Sequence, residues 1–196
     1  MSILEKRRRF SNNHPAIIAH TKAWIDKVIV RMNICPFAKA EVQAQSIHYQ
    51  VISPARFNKY LDKLWDACQQ LDNDSTIATT LLIFSDPEMD FDQYLDLVDC
   101  AQQQLANDNY EGIYQLASFH PDYCFDEQST KDAANFTNRA PYPTLHLIRE
   151  ADITKALSSF LRPEMIPERN IEYTRRKGMT QMQSLLDSCY DAPTAK

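Results

Sequence analysis

The run Thr76-Ile77-Ala78-Thr79-Thr80-Leu81-Leu82-Ile83-Phe84 decides the fold class. It is nearly all apolar and β-branched, which is the pattern of a strand covered on both faces; a half-exposed strand alternates instead. Working outward, Ile47 to Ile52 is a strand by its β-branched and aromatic content, as are Ile113 to Phe119 and Thr144 to Ile148. Helical spacing fills the gaps. Phe57, Leu61, Leu64, Cys68 and Leu71 form one buried stripe, and Phe91, Tyr94, Leu95, Val98 and Leu105 form another. Ser53-Pro54 reads as an N-cap followed by a proline at the first helical position, and Asp90 reads as the cap of the next helix. Asn107-Asp108-Asn109 supplies the turn chemistry that ends it. Strand and helix alternate, so the class is α/β (or α+β): a small mixed sheet of about four strands with helices packed on its faces.

At 196 residues the chain reads as a single domain, 1–196, with its alternating core at about 45–162 and helical extensions at 15–43 and 168–190. Pro15 to Asn33 is expected to be one helix, with a shorter piece from Cys35 to near Gln43. A further helix is expected from Asp152 to Leu161. Pro163 and Pro167 then mark a linker, and a last helix carries Met179, Met182, Leu186 and Cys189 on one side.

Composition narrows the function classes. A net charge of −5 argues against a nucleic-acid backbone binder, which needs a dominant basic face. The runs Lys6-Arg7-Arg8-Arg9 and Arg175-Arg176-Lys177 are local exceptions of the kind found on solvated helix faces. Ser11-Asn12-Asn13-His14-Pro15 follows the first run where a secretory leader would need an apolar stretch, and nothing is long and apolar enough for a bilayer. Five scattered cysteines without a C-x-x-C fit reduced thiols, so a cytoplasmic location is expected. Glycine occurs only at Gly112 and Gly178, so no glycine-rich phosphate loop can be built and the common nucleotide cofactors are disfavoured. The cofactor, if any, stays unknown.

The long connection within Ser118 to Glu150 is the expected functional site, because long ordered loops in compact domains tend to carry function. In His120-Pro121-Asp122-Tyr123-Cys124-Phe125-Asp126 an extended backbone would put His120, Asp122, Cys124 and Asp126 on one side. The bland alternative is a turn with a hydrogen-bonded interior histidine. His146, between Leu145 and Leu147, could face His120 across neighbouring strands, or simply be a core residue. Two imidazoles and Asp122 would make an acid–base group. Asn135, Asn138 and Arg139 are candidate substrate-binding donors, with Arg149 a further one that could equally pair with Glu150. Cys35 precedes Pro36 at a helix start, where the dipole would lower a thiol's pKa; the alternative is a small buried hydrophobe beside Phe37.

Three segments carry a resemblance. Ile34-Cys35-Pro36-Phe37-Ala38, Ser118 to Tyr123 (SFHPDY) and Asn135 to Glu150 (NFTNRAPYPTLHLIRE) together resemble the bacterial family catalogued as domain of unknown function 1415. The resemblance covers nearly the whole chain and groups the three segments; it implies no reaction and no cofactor.

The reading is therefore an enzyme, a hydrolase or transferase, acting on a small anionic metabolite by His/Asp acid–base chemistry, with Cys35 as a candidate nucleophile. One alternative is a divalent-metal protein that uses the same His, Asp and Cys cluster. Another is an interaction module whose terminal helices are the contact surface. The expected partner is a small molecule, with neither nucleic acid nor membrane, and self-association into a homo-oligomer is kept open.

Overall fold

A computed structural model describes residues 1–158 and 161–194. The sheet has four strands: β1 (Ile47–Ile52), β2 (Thr79–Phe84), β3 (Tyr114–Phe119) and β4 (Thr144–Arg149), in the order β1-β2-β4-β3. β1 and β2 are parallel, and β4 is inserted antiparallel between β2 and β3. The sheet is therefore mixed, and the α/β reading is the observed class. β2 is buried at every position, as its unbroken apolar pattern requires of a central strand.

Strand alternation gives the sheet two distinct faces. On the first lie Ile52, Leu82, Phe84, Tyr114, Leu145 and Leu147, packed under α4 (Phe57–Asn73) and α5 (Phe91–Asn107). These helices contribute Tyr60, Leu64, Leu71, Tyr94 and Leu97 to that core. On the second face Leu81 and Ile83 pack with Trp24, Ile25, Ile29, Tyr142, Met182 and Leu186. The helices of both termini belong to this second layer, so they complete the core.

Side-chain caps set some of the helix starts. Asp90 accepts from the Gln93 backbone N–H at 2.8 Å while Gln93 reaches back, a full capping box for α5. α4 begins three residues later than Ser53-Pro54 suggests. The Ser53 hydroxyl is held by the His14 ring at 3.0 Å, and the Tyr60 hydroxyl takes the Ala55 N–H, so the helix opens after Arg56 without a side-chain cap. The helix expected over Pro15 to Asn33 is interrupted. α2 (His14–Trp24), capped by Asn13, widens into a π-helical segment at Ile25–Val30, where the Arg31 N–H bonds the Asp26 carbonyl five residues back. Such segments reposition side chains and recur at functional sites.

The helix expected from Asp152 starts earlier, as α6 (Glu150–Leu157); its expected last turn includes residues 159 and 160, which lie outside the described residues. Pro163 and Pro167 do not mark a linker. Pro163 opens a short 3-10 turn, and Pro167 sits in the first turn of α7 (Ile166–Lys177), where a missing N–H removes no helical bond. Gly178, with φ 80, separates α7 from α8 (Met179–Asp187). In that left-handed region a side chain would be strained.

The first basic run is largely engaged with protein. In α1 (Ile3–Phe10) Lys6 pairs with Asp187 at 3.2 Å, and Arg8 forms a two-pronged pair with Glu88 at 2.9 and 3.1 Å. Arg7 is buried and donates to the carbonyls of Asp86 and Met89. Among the described residues no helix is long and apolar enough to cross a membrane.

Candidate functional site

The second face of the sheet is not fully covered. A cavity of about 340 Å³ lies over it, floored by Ile47, Thr79, Leu81, Ala117, Phe119, His146 and Ile148 from all four strands. The π-helical region contributes Trp24, Ile25 and Ile29 to one wall. The turn and short helix after it, α3 (Ala38–Ala44), contribute Ile34, Cys35, Phe37, Ala38 and Glu41 with their approach, and α6 adds Asp152, Ile153 and Ala156. Most of these side chains are hydrocarbon, and no lysine or arginine stands among them.

His146 is the central polar group. The Thr79 hydroxyl donates its one proton to the Leu147 carbonyl at 2.6 Å, so it must accept at 2.6 Å from the His146 Nε2–H. That assigns the tautomer and leaves Nδ1 as a lone pair with no protein partner among the described residues. The imidazolium would be poorly solvated in this setting, which pushes the pKa down to about 4. His146 is therefore a neutral acceptor at ordinary pH.

Cys35 lines the same cavity. The backbone N–H groups of Phe37 and Ala38 beside its sulfur favour the thiolate, but burial outweighs them and pushes the thiol up. Asn138 reaches the rim already engaged, donating to the Ser118 carbonyl at 3.1 Å and accepting from Thr137. Cys35, Asn138 and His146 are thus the sequence candidates that the structure brings together.

The others are drawn into the architecture of the long connection. His120 is fully buried; Nδ1 accepts from the Asp122 N–H at 3.1 Å and Nε2 faces the Met89 carbonyl at 3.4 Å, with Phe91 and Tyr94 packed against the ring. Burial, reinforced by nearby Arg7, pushes its pKa down to about 3. Asp122 is exposed on the loop. Arg139 lies over the Phe136 ring and donates to the carbonyls of Tyr123 and Thr130 at 3.0 and 2.9 Å. Asn135 bridges Phe125 and Ser129. Arg149 lies across Tyr114 and donates to the Leu71 and Ile77 carbonyls. None of these five lines the cavity.

Residues that the sequence reading passed over are Trp24, Thr79, Ala117, Phe119, Glu41 and Asp152. Strand alternation held part of the signal: Leu81 pairs with His146 and Ala117 pairs with His146 on its other side, so their shared face follows from register. Among the described residues no group of three His, Cys, Asp or Glu side chains is placed to hold a metal ion.

No curated protein and no solved structure matches the chain. The model of the family described as "Protein of unknown function (DUF1415)" matches residues 16–184 and so takes in Cys35, the long connection and His146 alike. The chain belongs to that family.

Proposed function

We propose that this protein binds an apolar small molecule on the second face of its sheet. The observation that carries the reading is the cavity itself: hydrocarbon from all four strands, flanked by three helical walls, with the His146 Nδ1 lone pair and the buried Trp24 Nε1–H left unengaged. Its 340 Å³ falls in the range of about 300–1,000 Å³ usual for ligand sites. An apolar cavity of this kind does not hold water well, so filling it with hydrocarbon is favourable. The small anionic substrate expected from the sequence would meet no basic side chain among the described residues of these walls.

The test uses Ala117, which presents only a methyl group to the floor. A fragment set of bicyclic aromatics and medium-chain alcohols should bind the wild-type chain, as read by ligand-observed NMR and thermal shift. Ala117→Phe places a ring in the cavity and should weaken that binding at least about tenfold, roughly 1.4 kcal/mol, without lowering the melting temperature. Equal binding by both chains, or none by either, overturns the reading.

A second reading keeps the enzyme: His146 as acid–base group and Cys35 as nucleophile acting on the bound molecule. The shared cavity favours it. The raised thiol pKa means that Cys35 would attack only if a bound substrate or a base drew off its proton. Turnover of a short-chain thioester or activated ester that vanishes in both Cys35→Ser and His146→Gln would support it. Turnover unchanged in either variant would remove it.

A further inference from the structure

The polar groups around the cavity are unevenly placed, and that unevenness selects among apolar ligands. Inside, the accessible unengaged nitrogen is His146 Nδ1, and it can only accept, because its partner nitrogen donates its proton to Thr79; the Trp24 Nε1–H, also unpartnered, is buried within the wall. At the edge stand two carboxylates. Glu41 accepts from the Ser46 hydroxyl and has no basic partner among the described residues. Asp152 on α6 is 4.0 Å from Arg149 Nε, a long contact. That guanidinium is turned away from the cavity, with Nη2 on the Leu71 carbonyl.

A carboxylate or phosphate entering this space would lose its hydration, meet an acceptor lone pair where the one unpartnered donor, Trp24 Nε1–H, is buried, and pass two like charges at the edge. Burying an unpaired anion costs several kcal/mol at least. An alcohol or amine meets the opposite situation: its N–H or O–H finds the one unengaged acceptor, and its hydrocarbon fills the rest. The volume bounds the size as well. At the ~30 Å³ share of a water-sized group, 340 Å³ holds about eleven such groups, the bulk of a bicyclic ring or a medium alkyl chain.

Resting on the cavity reading above, we propose that the ligand of this site is a neutral or cationic apolar molecule carrying a hydroxyl or amine that donates to His146 Nδ1, and that anionic amphiphiles are excluded. The ligand's head lies over the Leu81–His146–Ala117 row, where β2, β4 and β3 meet in register. Its hydrocarbon points toward Trp24, Ile29 and Phe119.

A matched series tests this with the full chain: 2-naphthol, 2-methoxynaphthalene and 2-naphthoate, titrated by calorimetry at pH 7. The three share a ring system and differ in offering a donor, only an acceptor, or an anion. A neutral hydrogen bond is worth about 1 kcal/mol, so 2-naphthol should bind roughly fivefold tighter than the methyl ether. The carboxylate should be weaker than both by at least about tenfold. In His146→Leu the naphthol preference should disappear while the ether still binds, which separates the hydrogen bond from simple filling. If the carboxylate binds as tightly as the naphthol, or the preference survives in His146→Leu, the ligand class is wrong although the cavity reading stands. If neither neutral compound binds, the cavity reading and this inference both fall.

Discussion

Replacing His120 by alanine is expected to cost the fold about 3–5 kcal/mol, the range for truncating a large, fully buried ring. Two effects add. The ring fills space between Phe91 and Tyr94, with centroids 5.3 and 5.2 Å away, so its loss opens a cavity in the packing. It also bonds the Asp122 N–H and faces the Met89 carbonyl, tying the start of the long connection to the loop before α5. Alanine leaves the Asp122 N–H without that partner, at about 1–3 kcal/mol for a buried group, while the Met89 carbonyl keeps its bond from Arg7. His120→Gln, which retains polar atoms, should recover part of the loss. Urea unfolding followed by circular dichroism reads the midpoints. A His120→Ala chain as stable as wild type, yet unable to bind the fragments that fit the cavity, would return His120 to the role of a functional group and overturn its structural assignment.

That expectation reverses the one drawn from the linear chain, and the reason is physical. SFHPDYCFD and NFTNR look like a binding loop because they are dense in polar groups and glycine-free. A connection of that length must also satisfy its own backbone. Arg139, Asn135, Asn138 and His120 do this here, each hydrogen-bonded to main-chain groups or to neighbours in the same connection. Sequence shows the donors but not whom they serve. Only contacts distant in sequence decide that, such as Tyr94, whose hydroxyl bridges the Phe119 N–H and the Thr144 carbonyl.

The sheet was more legible, because its signals are local. The all-apolar Thr79–Phe84, the Asp90 capping box and the Asn109 turn (φ 61) are written within a few residues of where they act. Some errors fall where a distant group competes for a local signal, and others where the local signal itself has two meanings. Ser53 is drawn off by His14, and Pro167 is harmless because it lies in the first helical turn. The cavity was only partly legible. Cys35 and His146 stood out as reactive residue types, but the apolar remainder of a cavity looks in sequence like any other core. The π-helical segment that turns Ile25 and Ile29 onto its wall has no marking residue.

Acid should unfold this protein earlier than its carboxylates alone would dictate. His20, His120 and His146 are held neutral, with pKa values pushed down by burial to about 4, 3 and 4. In the unfolded chain each returns to about 6.5. The sign follows. Below pH 6.5 the unfolded state binds protons that the folded state refuses, so stability is full above 6.5 and is lost as pH falls toward the folded values. With three protons at about 1.4 kcal/mol per pH unit each, the slope approaches ~4 kcal/mol per unit near pH 5. The loss between pH 7 and pH 5 is then on the order of 5 kcal/mol, as much as the whole stability of many domains. Carboxylates contribute little in that window, because they titrate in the unfolded chain near pH 4. Urea midpoints at half-unit steps from pH 7.5 to 5 give the slope. His20→Asn, which removes one such group beside Tyr142, should lower the slope by about one third. Stability that stays level down to pH 5 would mean that these imidazoles accept protons in the folded state. His146 Nδ1 would then be a charged donor in acid, and the cavity's preference among ligands would invert there.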